Sequence, residues 1–343
     1  MKNEGQMKSY KWKSMLIGVC LAAALIVSGC GGGGNAGNGN ANAGAGSNPP
    51  VSEEPPAATP EGKVDQELLD RLQAALKDAA DASVVTAFIT EHISVANQAT
   101  ADAMLRALHA YYDANLEAAQ QAFFEDGVQE ALLAEQWPIT EEAAASIKDE
   151  AAKKLALGAF KGGYKLETVE GSIYPIVDYG YQKRFGEQLS EPMNAYIGLK
   201  AAESDKATVK DGGLVIAWDE LAARALEAEQ YLDKYKDSPE REEVLSLYVD
   251  RYLAMYVNGQ INSPIYDRET MKLLDEVKAS YMKTVADAAD SVTGQLVAKF
   301  LTALAETDER VAELKDGEAV DLPAVKPFRD GLADEARKLL AQP

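Results

Sequence analysis

A cluster of aromatic side chains is the feature of this sequence most typical of a binding site. Tyr174, Tyr179 and Tyr181 lie close together beside Asp178, in a stretch without helical periodicity. Aromatic rings on loops form stacking platforms for sugars or docking faces for peptides. The same rings could instead cover a seam between two helical layers, and both interpretations stay open here. With an aromatic and acidic pair from later in the chain, the candidate ligand-binding residues are Tyr174, Asp178, Tyr179, Tyr181, Trp218 and Asp219.

Acidic residues beside these rings point to a second kind of chemistry. Glu167 and Glu170 precede the aromatic residues, and Asp219 is followed by Glu220. Two carboxylates at a set separation, one of them with a raised pKa, hydrolyse glycosidic bonds. The sequence does not give that separation, and most glutamates on acidic helices are simply solvated. We therefore assign no catalytic residue.

Other catalytic and metal-binding patterns do not occur in the sequence. His92 and His109 are seventeen residues apart, and there is no HExxH, GxSxG, SxxK or Walker motif. An EF-hand frame around Asp211-Gly212 would place side chains that cannot bind calcium at the ligand positions, although calcium sites of other kinds stay open. We assign no metal ligand and no cofactor, and we expect both histidines to be structural or on the surface.

The charge balance excludes one class of partner. The 343 residues include 55 acidic and 34 basic side chains, which gives a net charge of −21. Binding to nucleic acid needs clustered lysine and arginine to neutralise phosphates, so we expect no nucleic-acid partner. The hydrophobic fraction of 47% is too high for a fully disordered chain. Two cysteines cannot form a disulfide-rich scaffold.

The first thirty residues have the composition of an export signal. Basic residues precede an apolar run at residues 15–27, which is too short to span a bilayer comfortably. The run ends in Val27-Ser28-Gly29-Cys30, which resembles the lipobox of bacterial lipoproteins, and the long linker after it is similar to those of Gram-positive lipoproteins. The resemblance implies a signal peptide at residues 1–29 and acylation of Cys30, which anchors the chain to the extracellular side of the cell membrane. A plain secretory signal and an uncleaved anchor helix are the alternatives.

Composition divides the remaining chain into a linker and a helical region. Residues 30–62 are rich in glycine, asparagine and proline, which predicts a flexible tether after the lipidated cysteine. From Lys63 onward, alanine, leucine, glutamate and lysine predict a mainly α fold. Alternation around Glu170-Gly171 predicts a short β-hairpin or extended segment near residues 163–181. The expected parts, as one bundle or two lobes, are an N-terminal helical part at 63–160, a hairpin and aromatic loop at 161–187, and a C-terminal helical part at 188–343.

Caps and apolar periodicity predict where several helices begin. Thr140, followed by two glutamates, predicts a helix that runs to about Phe160. Apolar residues repeat every three or four positions from Leu214 to Tyr235, and Ser238-Pro239 predicts the start of the next helix. This pair resembles the helical unit of tetratricopeptide-type repeats, but no second copy follows at a fixed period. The tyrosines that helical spacing assigns to the core are Tyr248, Tyr252 and Tyr256.

Three functions are compatible with these features. The favoured one is a lipid-anchored surface protein whose acidic helical domain binds a protein, a peptide or a cell-wall component. The alternative is a cell-wall glycan hydrolase that uses carboxylates beside the aromatic cluster. A solute-binding lipoprotein of a transporter is less favoured, because most such proteins alternate strands and helices and this chain does not.

Overall fold

Helices form most of the molecule, which confirms the predicted mainly α fold with a short hairpin. A computed structural model describes residues 63–341, which belong to one compact unit. The predicted signal peptide, Cys30 and the tether lie outside the described residues. The helices are α1 (Gln66–Asp78), α2 (Ala82–His92), α3 (Gln98–Ala122), α4 (Val128–Leu133), α5 (Glu141–Ala145), α6 (Glu150–Lys161), α7 (Tyr179–Gln182), α8 (Glu191–Asp205), α9 (Trp218–Lys234), α10 (Arg241–Ser246), α11 (Ala254–Asn258), α12 (Asp275–Asp287), α13 (Val292–Ala305) and α14 (Lys326–Leu340).

Short polar side chains begin several of these helices. Asp81 caps α2, Thr140 caps α5 and Asp149 caps α6, each by accepting a hydrogen bond from a backbone N–H of the first turn. The predicted cap at Thr140 is therefore confirmed, but the prediction of one continuous helix to Phe160 is wrong. Asp149 accepts a hydrogen bond of 2.8 Å from the N–H of Ala152 and begins a second helix, so the chain turns between α5 and α6.

The predicted β-hairpin is confirmed, including the position of its turn. Strand β1 (Tyr164–Val169) pairs antiparallel with β2 (Ser172–Val177). The turn residues Glu170 and Gly171 have φ values of 50° and 79°. Positive φ at both central residues is the type I′ geometry, which matches the twist of the two strands.

Two shorter hairpins were not predicted. Their turns are Asp211-Gly212 and Asp316-Gly317, again with positive φ at both residues. Because Leu214 lies in the first of these hairpins, the helix predicted from Leu214 begins at Trp218 instead. The next helix, predicted to begin at Ser238-Pro239, begins at Arg241 instead. The strands are β3 (Val209–Lys210) with β4 (Gly213–Leu214), and β5 (Ala312–Lys315) with β6 (Glu318–Asp321).

A continuous helical stretch runs from α10 to α11 and changes pitch in its middle. Its central segment, Leu247–Leu253, is π-helical. Tyr248, Tyr252 and Tyr256 are 0% exposed, which confirms their predicted place in the core. The buried hydroxyls are also satisfied: that of Tyr252, for example, donates to Glu203 Oε1 at 2.9 Å.

A buried carboxylate joins α9 to the beginning of α13. Glu229 is 8% exposed, and its oxygens accept hydrogen bonds from the backbone N–H groups of Val292 (2.6 Å) and Thr293 (2.9 Å). The hydroxyls of Thr293 (2.7 Å) and Tyr248 (3.2 Å) also donate to it. The N-terminal N–H groups of a helix have no partner in the helix and carry partial positive charge, so they stabilise this carboxylate.

The long helix α3 contacts residues from both predicted helical parts and from the segment between them. Arg106 Nε donates to Glu240 Oε1 at 2.5 Å, which ties α3 to the turn before α10. His109 Nε2 lies 2.6 Å from Gln182 Oε1, which ties it to α7. His109 is 9% exposed, and burial lowers the pKa of its imidazole. This helix therefore connects elements that are distant in the sequence.

Candidate functional site

An open cleft of about 580 Å³ lies between α3 and α6. One wall is the face of α3 that carries Tyr111, Asn115 and Ala122 at helical spacing. The opposite wall is the face of α6 that carries Lys154 and Gly158. Tyr111 and Ala122 are eleven residues apart, so the α3 wall is about 16 Å long. Small side chains on both walls leave space that larger ones would fill.

The hairpin and the beginning of α2 close the bottom of the cleft. Tyr164 from β1 and Pro175 from β2 line it, together with Asp81 from the turn before α2. The ring of Tyr164 packs against Tyr112 behind the cleft, with 5.0 Å between their centroids. The Tyr112 hydroxyl donates to the Gly162 carbonyl at 2.8 Å, which holds the end of α6 against α3. The cleft is thus supported by an ordered layer of side chains.

The cleft also carries polar and charged side chains. Asp81, Tyr111 and Tyr164 line it, as do Lys154 and Lys161. Tyr164 is only 5% exposed, and neither tyrosine hydroxyl forms a hydrogen bond within residues 63–341, but both hydroxyls keep some solvent-accessible surface. Burial raises the pKa of both tyrosines, and the charge of Asp81 raises both further. Both hydroxyls are therefore protonated at neutral pH.

The candidates of the sequence analysis lie in separate surroundings. Tyr174 pairs with Phe124, at 6.5 Å between ring centroids. Trp218 begins α9 and pairs with Tyr256 of the core, also at 6.5 Å, while Asp219 beside it is exposed. Among the described residues, no ring contact joins Trp218 to the aromatic residues of the hairpin region. Tyr174 and Trp218 therefore pack against different aromatic neighbours.

The remaining candidates form or flank the short helix α7. Asp178 caps this helix by accepting a hydrogen bond of 3.0 Å from the N–H of Tyr181. The ring of Tyr179 lies 5.5 Å from that of His109 and 5.1 Å from the Lys200 ammonium. Tyr181 lines a separate, more open groove of about 610 Å³. Tyr179 therefore joins α7 to α3 and α8, and none of these three residues lines the cleft between α3 and α6.

Two of the acidic residues near the rings are paired with bases. Glu167 Oε1 accepts a hydrogen bond from Lys210 Nζ at 3.0 Å. Glu220 accepts hydrogen bonds from Lys206 at 2.5 Å and from Arg224 at 2.8 Å, and these lower its pKa. A general acid in glycan hydrolysis needs a raised pKa. The geometry at Glu220 therefore does not favour the hydrolase interpretation.

None of the candidate binding residues predicted from the sequence lines the cleft. A signal was nevertheless present, since Ala118, Ala119 and Ala122 repeat on the α3 face that carries Tyr111. Gly158 in the middle of α6 is a second signal. Glycine lowers the stability of a helix interior, so its presence there suggests that the position must stay free of a side chain. Each signal is weak alone, and only the fold brings the two faces together.

Comparison with known protein families, with curated proteins and with solved structures found no match to this chain. Among residues 63–341, no group of three or more His, Cys, Asp or Glu side chains is placed to hold a metal ion. Within the same range, no helix combines the length and apolarity needed to cross a membrane.

Proposed function

We propose that this chain is a lipid-anchored surface protein that binds a ligand in the cleft between α3 and α6. The observation that supports the proposal is the cleft itself, which is open to solvent on one side and mainly apolar. Its volume of about 580 Å³ lies in the range of about 300–1,000 Å³ that is usual for ligand sites. Acyl chains on Cys30 would hold this domain at the cell surface.

The lining of the cleft favours a ligand whose surface is mostly apolar. Phe123, Leu155, Leu157 and Pro175 provide apolar surface, beside a smaller number of polar and charged side chains. Sites of this composition bind by removing apolar surface from water and use a few polar groups for orientation. The ligand is accordingly a small molecule, or the apolar end of a peptide or wall component, that fits a cleft about 16 Å long.

A leucine at Gly158 is expected to fill the cleft and abolish binding. A Cβ at Gly158 meets no atom within 4 Å, so the longer side chain extends into the open space. Fragments that bind the full chain in lipid nanodiscs, detected by saturation-transfer NMR, should bind Gly158→Leu at least tenfold more weakly (about 1.4 kcal/mol or more). Empty nanodiscs correct for partition of the fragments into lipid.

Gly331 in α14 provides the matched control for this experiment. It is also a helical glycine with open space at its Cβ position, and it does not line the cleft. Both leucine variants remove a helix glycine and should keep or raise the free energy of unfolding by about 0.5–1 kcal/mol. Fragment binding that is the same in Gly158→Leu and Gly331→Leu, or no fragment binding at all, would contradict the proposal.

The anchor has its own test. The chain expressed in a bacterial host should partition into the detergent phase after Triton X-114 separation, because it carries acyl chains on Cys30. A Cys30→Ser variant should escape acylation and incorporate no labelled fatty acid. Equal incorporation of labelled fatty acid by both proteins would remove the lipid anchor from the proposal.

A further inference from the structure

Ion pairs are distributed unevenly among the lysines of this domain. The net charge of the chain is −21, and every lysine from Lys165 to Lys326 has its ammonium nitrogen 3.9 Å or less from a carboxylate oxygen. Within residues 63–341, no carboxylate forms an ion pair with any of the four lysines of residues 148–161, which are Lys148, Lys153, Lys154 and Lys161. On and just before α6, lysines therefore stay unpaired although acidic side chains are in excess.

Two of these four lysines line the cleft. Lys154 and Lys161 are seven residues apart, which is nearly two turns of α6, so they lie on the same face of the helix and about 10.5 Å apart along its axis. Gly158 lies between them on that face and has no side chain. Because the four-carbon stem of lysine is flexible, both ammonium groups can approach one ligand group placed over Gly158.

One carboxylate also lines the cleft, and it already has partners. Asp81 caps α2 and accepts hydrogen bonds from the N–H of Ser83, at 2.8 Å, and from the Ser83 hydroxyl. The described residues that line the cleft thus carry two cations and one anion, whereas the chain as a whole is strongly acidic. Cationic charge beside apolar surface, with no protein anion paired to it, favours a ligand that carries a negative charge.

We propose that Lys154 and Lys161, which we name the lysine pair, bind the carboxylate of an amphiphile whose apolar body lies along α3. This inference rests on the proposed function and specifies the ligand class of the same cleft. Lysine ammonium groups donate charge-assisted hydrogen bonds to carboxylate oxygens, which are roughly twice as strong as hydrogen bonds between neutral groups. The lining has one cation in excess, so a singly charged carboxylate neutralises it, whereas a phosphate dianion would exceed it. The apolar body of the ligand lies against Ala118, Ala119 and Phe123 and is removed from water there.

Three probes with similar apolar bodies and different end groups test the lysine pair. They are 3-phenylpropanoate, 3-phenylpropanamide and 3-phenylpropylammonium, titrated by saturation-transfer NMR against the full chain in phosphatidylcholine nanodiscs, with empty nanodiscs as the blank. The amide has nearly the shape of the carboxylate but no charge, so the ratio of their affinities measures the effect of the charge. The carboxylate should bind about tenfold more tightly than the amide, and the ammonium probe should bind most weakly.

A double variant that combines Lys154→Gln and Lys161→Gln removes the lysine pair. Glutamine forms helices about as well as lysine, and neither lysine has an ion pair to lose, so the variant should keep the fold. The matched control combines Lys148→Gln and Lys153→Gln, because it removes two unpaired charges from the same stretch and neither residue lines the cleft. The first variant should bind the carboxylate and the amide equally, whereas the control should keep the tenfold preference.

The outcomes separate this inference from the proposed function. Equal binding of the three probes, lost in Gly158→Leu, would overturn the lysine pair and leave the cleft as a ligand site. A preference for the carboxylate that persists without Lys154 and Lys161, or that both double variants lose alike, would also overturn the lysine pair. No binding of any probe to the full chain would overturn this inference and count against the proposed function as well.

Discussion

Replacing Gly294 by alanine should lower the free energy of unfolding by about 3 kcal/mol. Gly294 lies in the first turn of α13, where the chain folds back over its own preceding residues. A Cβ there would lie far inside contact distance of the Ala288 carbonyl oxygen and 2.9 Å from its carbonyl carbon. Both atoms are backbone, and Ala288 O already accepts hydrogen bonds from the N–H and the hydroxyl of Ser291. The turn has to move to admit the methyl group.

Gly331→Ala is the control for this substitution, because a Cβ at Gly331 meets no atom within 4 Å. It should raise the free energy of unfolding by about 0.5–1 kcal/mol, since alanine is the better helix former. Urea unfolding followed by circular dichroism measures both values. Equal stability of the two alanine variants would show that the turn before α13 yields easily and would contradict the expectation.

Glu229→Gln should also destabilise the protein, by about 3 kcal/mol. The two carboxylate oxygens accept from backbone N–H groups of Val292 and Thr293 and from two hydroxyls. Glutamine has nearly the same shape, but its NH₂ group would face donors where an oxygen now accepts. The substitution also removes the negative charge that the positive end of α13 favours.

Glu227 supplies the comparison, because it lies on α9 two residues earlier and its side chain is exposed. Glu227→Gln removes the same charge without touching α13 and should change stability by less than about 0.5 kcal/mol. Thermal or urea unfolding of the two variants under the same conditions measures both free energies of unfolding. If Glu229→Gln lowers the free energy of unfolding no more than Glu227→Gln does, the Glu229 carboxylate does not hold α13 in place.

The parts of the fold that the sequence predicted are those set by local chemistry. The hairpin from Tyr164 to Val177 was predicted because Glu170-Gly171 separates two alternating runs. The hairpins around Asp211-Gly212 and Asp316-Gly317 have the same kind of turn, but their strands of two and four residues are too short to show alternation. Likewise, the Asp149 cap breaks a helix inside a run of good helix formers, where periodicity alone shows no boundary.

The site was harder to predict than the fold because it depends on residues far apart in the chain. Tyr111 on α3 and Gly158 on α6 line one cleft because the hairpin joins the two helices, with β2 against α3 and β1 against α6. The aromatic residues of the hairpin region were predicted to form a site because they lie close together in the sequence, but Tyr179 and Tyr181 belong to α7, outside the cleft. Density of one residue type along the sequence therefore does not identify which side chains share a cavity.

Helix α3 contacts both the cleft and the turn before α10, and these contacts affect how the domain unfolds. Arg106 and Glu240 join regions separated by more than a hundred residues, and Glu240 is buried. Opening the N-terminal helices would leave that carboxylate without its cation, which raises the cost of local unfolding there. Because the contacts of α3 extend from the cleft to the turn before α10, a ligand bound in the cleft should also slow hydrogen exchange beyond the cleft, in the C-terminal helices.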